Sequence, residues 1–248
     1  MGHLGNYHLL LAHDVYANPH AYASIFRRDV EDLYIIMDNS LIELGYPAPM
    51  EQMREACKTV RADIVVLPDY LGELEMTLEA SEKYAKQYNL NDIGPLMGVP
   101  QGKNYTEIMG CATELAGIEN VQALGIPRHI TEVGINGAHS RWGIVEALSN
   151  EHPDMDLHLL GFSDYTEDDF KCARHPSVMG IDSAAPVRLG LMGERADNGF
   201  DTLNNMPPRG GYWGWNGIRM PDEVIHNLIW TRNQIKDGQI TQISDDGE

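Results

Sequence analysis

Positive charge is scarce in this chain: 18 lysines and arginines stand against 37 aspartates and glutamates, for a formal net charge of -19. A surface of that balance repels a polyanion at long range unless its few cations gather on one face, so diffuse electrostatic coating of nucleic acid is excluded. Cysteine is nearly absent. Cys57, Cys111 and Cys172 lie far apart on segments of helical periodicity, which argues against a disulfide framework and a zinc knuckle and leaves them as core or surface thiols. No apolar run approaches the roughly 20 residues that span a bilayer, and the first residues lack the basic-then-apolar order of a signal peptide. The expectation is a cytoplasmic protein with no membrane partner. There is also no internal repeat and no low-complexity segment.

What the chain does contain is a series of short apolar runs, each breaking off in polar or small residues. The clearest is Met179-Gly180-Ile181-Asp182-Ser183-Ala184-Ala185-Pro186, and the same break follows Tyr34 to Met37 at Asp38-Asn39-Ser40. It recurs in Ile64 to Asp69, in Leu96 to Gly102 and in Val121 to Pro127. Tyr7 to His13 and Leu157 to Phe162 are further apolar runs, with His13 and Asp14 at the outlet of the first. Between the runs, apolar residues recur at helical spacing, as in Met53, Ala56, Cys57 and Val60, or Tyr105, Ile108, Met109, Ala112 and Leu115. Such stripes are core-facing helix surfaces. Thr166 to Asp169 has the form of a helix cap, and Pro221-Asp222-Glu223 opens a last helix over 221–237 that ends at Gly238.

Strands alternating with helices indicate a parallel sheet, and 248 residues match the usual size of an eight-stranded barrel. The fold expected is an α/β, (β/α)8 TIM-like barrel in a single domain over 1–248; two small domains are the alternative. Its closure is incomplete or irregular, because seven strand signals can be placed and an eighth cannot. All strand C-termini of such a barrel open on one face, so their polar ends converge on a common pocket. Residues 194–220, rich in Gly, Asn, Pro and aromatics around Trp213 and Trp215, read as a long loop that packs or stacks.

The set Met37-Asp38-Asn39-Ser40, Leu67-Pro68-Asp69, Val99-Pro100-Gln101-Gly102, Leu124-Gly125-Ile126 and Gly180-Ile181-Asp182 resembles, in order and spacing, the active-site segments of the tRNA-guanine transglycosylase superfamily. It is most similar to the short DNA-modifying branch found in phages and bacterial modification islands, over roughly residues 7–190. The resemblance implies a glycosyltransferase that exchanges guanine in DNA for a 7-deazaguanine, such as the 7-cyano form, with no cofactor. It implies Asp182 as the nucleophile, Asp38 as the general acid/base, Asp69 as the reader of the guanine edge, Gln101 as an amide near the base carbonyl and Gly125 as a backbone donor beneath the base. Carboxylates suit this chemistry, since glycosidic cleavage builds oxocarbenium character that one can capture while the other protonates the departing base.

The chain departs from that family in two respects. It has no Cys-x-Cys-x-x-Cys motif, so no metal is expected, and Asn39-Ser40-Leu41-Ile42-Glu43 replaces a glycine-rich segment. The partners implied are DNA and a free 7-deazaguanine base, with a homodimer or an accessory protein as an option. With so few cations, DNA contact is expected from Lys103, Arg128, Arg188, Arg209 and Arg219, helped by stacking on Trp213 and Trp215.

Plainer readings exist for each residue. A lone aspartate after a strand is as often a cap or turn residue. Gln101 also suits a turn, Gly125 a crowded site, and the Trp213–Trp215 loop a packing role under the barrel. His13, His129 and His139 read as loop or capping residues rather than ligands. The alternatives at the level of function are the same exchange on RNA, or a non-catalytic acidic barrel that binds a deazapurine or a protein.

Overall fold

The computed structural model describes residues 7–26, 33–87, 94–131, 141–162, 166–198 and 221–243. The chain opens with β1 (Tyr7–Leu11), followed by α1 (Ala12–Ala17) and α2 (Pro19–Ile25), and then β2 (Tyr34–Asp38). The first strand is shorter than its apolar run, because α1 takes over at Ala12 and carries His13 and Asp14. A single helical turn, α3 (Leu41–Leu44), precedes α4 (Met50–Val60), which buries Met53, Ala56, Cys57 and Val60 as the periodicity predicts. Next come β3 (Ile64–Val66), α5 (Leu74–Gln87), β4 (Leu96–Gly98), α6 (Tyr105–Ala116) and β5 (Val121–Pro127). Helix α6 is started by Asn104, whose side chain accepts from the Glu107 N–H at 3.0 Å.

After a 3-10 turn at Arg128–Thr131, the chain continues as α7 (Arg141–Glu151), β6 (Asp156–Leu160), α8 (Glu167–Ala173), β7 (Val178–Ile181) and α9 (Ala185–Leu191). The predicted cap of α8 is a capping box, in which Thr166 and Asp169 satisfy each other's backbone N–H groups. The last helix, α10 (Asp222–Ile243), starts where Pro221 predicts but runs past Gly238 to Ile243. A glycine inside a helix costs only about 1 kcal/mol relative to alanine, so it need not stop one. Among the described residues no helix is long and apolar enough to cross a membrane. Most of the expected loop over 194–220, including Arg209, Trp213, Trp215 and Arg219, lies outside the described residues.

The strands form one parallel sheet in the order β1-β2-β3-β4-β5-β6-β7, a nearly closed barrel with an open seam between β1 and β7. The (β/α) barrel architecture is thus as expected, with seven strands rather than eight among the described residues. Strand alternation divides the side chains into two layers. Ile35, Met37, Val65, Leu67, Leu124, Ile126, Leu157 and Leu159 face the helices, where all three cysteines are also buried. Ile36, Ile64, Val66, Met97, Val99 and Ala123 pack inside the barrel, with Tyr7, Leu9, Tyr34, Leu160 and Met179 against them.

Two irregularities in the ladder decide which residues reach that interior. Leu96 pairs with Val121 but Met97 with Ala123, so Gln122 is an extra residue in β5; likewise Leu157 pairs with Val178 but His158 with Gly180, which makes Met179 extra in β7. Val121 and Val178 belong to the outer layer. Strict alternation from them would turn Gly125 and Asp182 outward, whereas one additional residue reverses the phase. The reversal is visible in Ala123, which packs inside, and in Ile181, which packs outside.

Candidate active site

Because every strand runs the same way, Asp38, Asp69, Gln101 and Asp182 all leave the sheet at the C-terminal end of the barrel. Asp38 is the last residue of β2, and its Oδ2 accepts the Ser40 N–H at 2.8 Å. That bond requires a tight reversal, and Ser40 adopts a left-handed conformation with φ 62° and ψ 21°. A non-glycine residue there is strained, and such strain collects at functional sites. It is held in place from both sides, since the Ser40 Oγ also accepts the His13 N–H at 3.3 Å. Asn39-Ser40 therefore makes the turn after Asp38 without glycine.

Asn39 is buried and ties two strand ends together. Its Nδ2 donates to the Leu67 carbonyl and to Asp69 Oδ1, both at 2.7 Å, while its Oδ1 accepts from the Leu41 N–H at 2.9 Å. Gln101, also buried, donates from Nε2 to Asp69 Oδ2 at 2.5 Å and accepts the Gly72 N–H at 3.0 Å. Asp69 thus takes one side-chain donor on each oxygen, besides its own backbone N–H, and retains further acceptor capacity. Gln101 is turned toward Asp69, so in this structure its amide positions that carboxylate.

Burial is the main influence on both acids. It pushes Asp38 up from 3.8 to about 7, opposed by the Ser40 bond and reinforced by the negative charges of Glu43, Asp69 and Asp182. Burial likewise raises Asp69 to about 6, opposed by the bonds from Asn39 and Gln101. Asp69, Asp182 and Glu43 on α3 therefore each lie within electrostatic reach of Asp38.

Asp182 has a different setting. Its two carboxylate oxygens share the Gly161 N–H at 3.1 Å each, and Oδ1 is 3.3 Å from His158 Nε2. Its backbone is fixed to β6 by the Phe162 N–H bond to its carbonyl, 2.8 Å, and by its own N–H bond to Leu159, 3.2 Å. The side chain remains 27% exposed, which leaves it open to the mouth. Arg141, fully buried on α7, donates to the Ile126 and Leu160 carbonyls at 2.5 and 2.6 Å, clamping the ends of β5 and β6. It pairs with Asp169 at 3.6 Å. Burial pulls its guanidinium down, and the charges of Asp169, Cys172 and Asp182 oppose that.

Gly125 points into the barrel interior below this mouth. A Cβ there would come within 2.7 Å of Leu160 Cδ1 and 3.2 Å of both Met97 Sδ and Val99 Cγ2, so glycine relieves crowding at this position. Among the expected cations, Lys103 lies beyond Gln101 and pairs with Glu73 at 3.0 Å. Arg128 follows β5 in the 3-10 turn, and Arg188 lies on α9 after Asp182. His13 pairs with Asp14 at 3.4 Å, and His139 falls outside the described residues. Among the described residues no group of three or more His, Cys, Asp or Glu side chains could hold a metal ion.

Sequence reasoning did not single out Asn39, Glu43, Arg141, Tyr7 or His158. One signal was available: His158 interrupts an apolar strand at an inward-facing position, where burial demands a hydrogen-bond partner. No signal marked Arg141, whose role depends on two carbonyls from distant strands. No protein-family profile and no curated protein sequence matches this chain.

Proposed function

We propose that this chain is a DNA base-exchange transglycosylase that replaces guanine with a 7-deazaguanine in the cytoplasm. The observation that carries the reading is the contrast between two carboxyl groups at one barrel mouth. Asp38 is pushed to about 7 and holds or releases a proton near neutrality, while Asp182 sits among donors with part of its side chain exposed. Paired carboxyl groups in unlike environments divide acid/base and nucleophilic work.

In the first displacement, an Asp182 oxygen bonds to the anomeric carbon as the glycosidic C–N bond breaks. Guanine leaves with the electron pair of that bond and takes a proton from Asp38. In the second, Asp38 accepts the ring N–H proton of the incoming deazaguanine, whose nitrogen attacks the anomeric carbon and releases Asp182. Two inversions give net retention. Asp69, oriented by Asn39 and Gln101, offers its remaining lone pairs to the donor edge of either base. A base in a duplex must be flipped or the strands opened to reach a barrel mouth.

The test mixes the protein with guanine-containing DNA, quenches in denaturant and maps any protein–DNA adduct. Asp182→Asn should abolish both adduct and exchange while the protein still binds base. Asp38→Asn should slow both half-reactions by about 10²–10⁴-fold, the usual span for general acid–base catalysis. An adduct that persists in Asp182→Asn and vanishes in Asp38→Asn would reverse the two roles. Exchange at the wild-type rate in both variants would sink the reading, and exchange on RNA alone would move it to that substrate.

A further inference from the structure

The open seam of the barrel is bridged by side chains. Tyr7, on β1, stacks on Tyr34 with ring centroids 5.0 Å apart and on His158 at 5.6 Å. Its ring also lies against Gly180 of β7, where a Cβ would come within 2.5 Å of Tyr7 Cζ. The hydroxyl is 2.9 Å from His158 Nδ1, and the other ring nitrogen, Nε2, is 3.3 Å from Asp182 Oδ1. Three residues from three strands thus form a line that ends on the proposed nucleophile, and His158 within it is wholly buried.

The chemistry of the two ends sets the proton positions. A carboxylate only accepts, so the nitrogen facing Asp182 must carry hydrogen. The nitrogen facing Tyr7 is then free to accept, and the tyrosine hydroxyl can supply its proton. Burial, followed by the charges of Tyr34, Asp182 and Asp156, makes Tyr7 harder to ionise than an ordinary tyrosine, so that proton stays on the hydroxyl.

We infer that Tyr7 and His158 are positioning residues for Asp182: the carboxylate holds His158 in the Nε2–H tautomer, the Tyr7 hydroxyl bonds the bare Nδ1 and fixes the ring, and the Nε2–H so placed aims the carboxylate at the barrel mouth. A histidine's tautomer is set by the partner of its other nitrogen. The inference rests on Asp182 being the nucleophile of the proposed exchange, but the tautomer and the Nδ1 bond can be measured without substrate. It also assigns a purpose to Gly180, since only glycine leaves room there for the Tyr7 ring.

The experiment uses the full chain labelled with 15N-histidine and reads the tautomer of His158 from long-range 1H–15N correlations, with His158→Gln identifying its signals. Wild type should show one tautomer, Nε2 protonated and Nδ1 bare. Tyr7→Phe keeps the ring, the stack and the packing on Gly180; it should leave the Nε2–H tautomer that Asp182 sets and move the Nδ1 resonance toward that of a nitrogen with no hydrogen bond. A wild-type His158 protonated at Nδ1 alone, or an Nδ1 resonance unchanged in Tyr7→Phe, would overturn the inference. The second arm measures single-turnover adduct formation at saturating DNA. His158→Ala should lower that rate about 10- to 100-fold with DNA affinity unchanged, as for a lost hydrogen bond to a charged group. His158→Gln, which can place an amide N–H near the same point, should recover most of it. Wild-type rates in His158→Ala would refute the positioning role and leave the exchange reading intact. No adduct in wild type would refute the exchange reading, and with it the role toward a nucleophile, while the spectra still decide how Tyr7 and Asp182 hold His158.

Discussion

At the scale of single residues, Asp38 carries a consequence for stability that is independent of activity. Its carboxyl is raised from 3.8 to about 7 in the folded chain, and that of Asp69 to about 6. Between those limits the folded state binds more protons than the unfolded state. The stabilisation is therefore fully present below about pH 4 for these two groups and is lost as the pH rises through about 6 to 7. Urea unfolding across that window should show the midpoint of wild type falling more steeply with pH than that of Asp38→Asn, whose amide can still accept the Ser40 N–H. Parallel curves would mean that Asp38 does not retain its proton into the neutral range. The same loss of protons converts Asp38 from acid to base, as two half-reactions with opposite proton demands require.

At the scale of elements, the site depends on how strand ends are tied and phased. Asn39 bonds the Leu67 carbonyl, Asp69 and the first N–H of α3, so Asn39→Ala leaves several buried groups without partners. An unsatisfied buried group costs about 1–3 kcal/mol, and equilibrium denaturation should show a loss of at least that size. A change below about 0.5 kcal/mol would mean that water replaces the amide, as at an ordinary surface site. Gly125→Ala should also destabilise, by about 1–3 kcal/mol, because the added methyl meets Leu160, Met97 and Val99 in a filled interior. Unchanged stability there would mean that the Leu160 side chain yields freely. The Gly125 expectation follows from the extra residue Gln122, which rephases β5 so that position 125 faces the filled interior, just as Met179 rephases β7 so that position 182 faces the mouth.

At the scale of the whole molecule, a net charge of -19 sets the terms on which DNA can be met. Lys103 already has Glu73 as a partner, which reduces the cationic character around the mouth. The remaining candidates include Arg209 and Arg219 in the glycine- and aromatic-rich stretch. Replacing both with alanine should weaken binding to a guanine-containing oligonucleotide and lower the slope of log K against log salt by about 2, roughly one for each phosphate that is no longer neutralised. Anisotropy titrations over a range of salt decide it. An unchanged slope would exclude that stretch as the DNA-binding surface.

The alternation of short apolar runs with helical stripes was enough to determine a parallel barrel, and the polar residue ending each run located Asp38, Asp69, Gln101 and Asp182 at its C-terminal mouth. These are local properties, since periodicity records which face of an element meets the core and a strand's end records where burial stops. The partners of those residues are not local. Asn39 reaches Asp69 thirty positions away, Arg141 joins the ends of β5 and β6, and Tyr7 meets His158 across 151 positions. No period or spacing encodes such pairings, because they depend on strand order and on the phase set by Gln122 and Met179. Closure was likewise a tertiary matter: where an eighth strand signal was missing, the Tyr7 ring bridges the seam onto Gly180 and places its hydroxyl one imidazole away from Asp182.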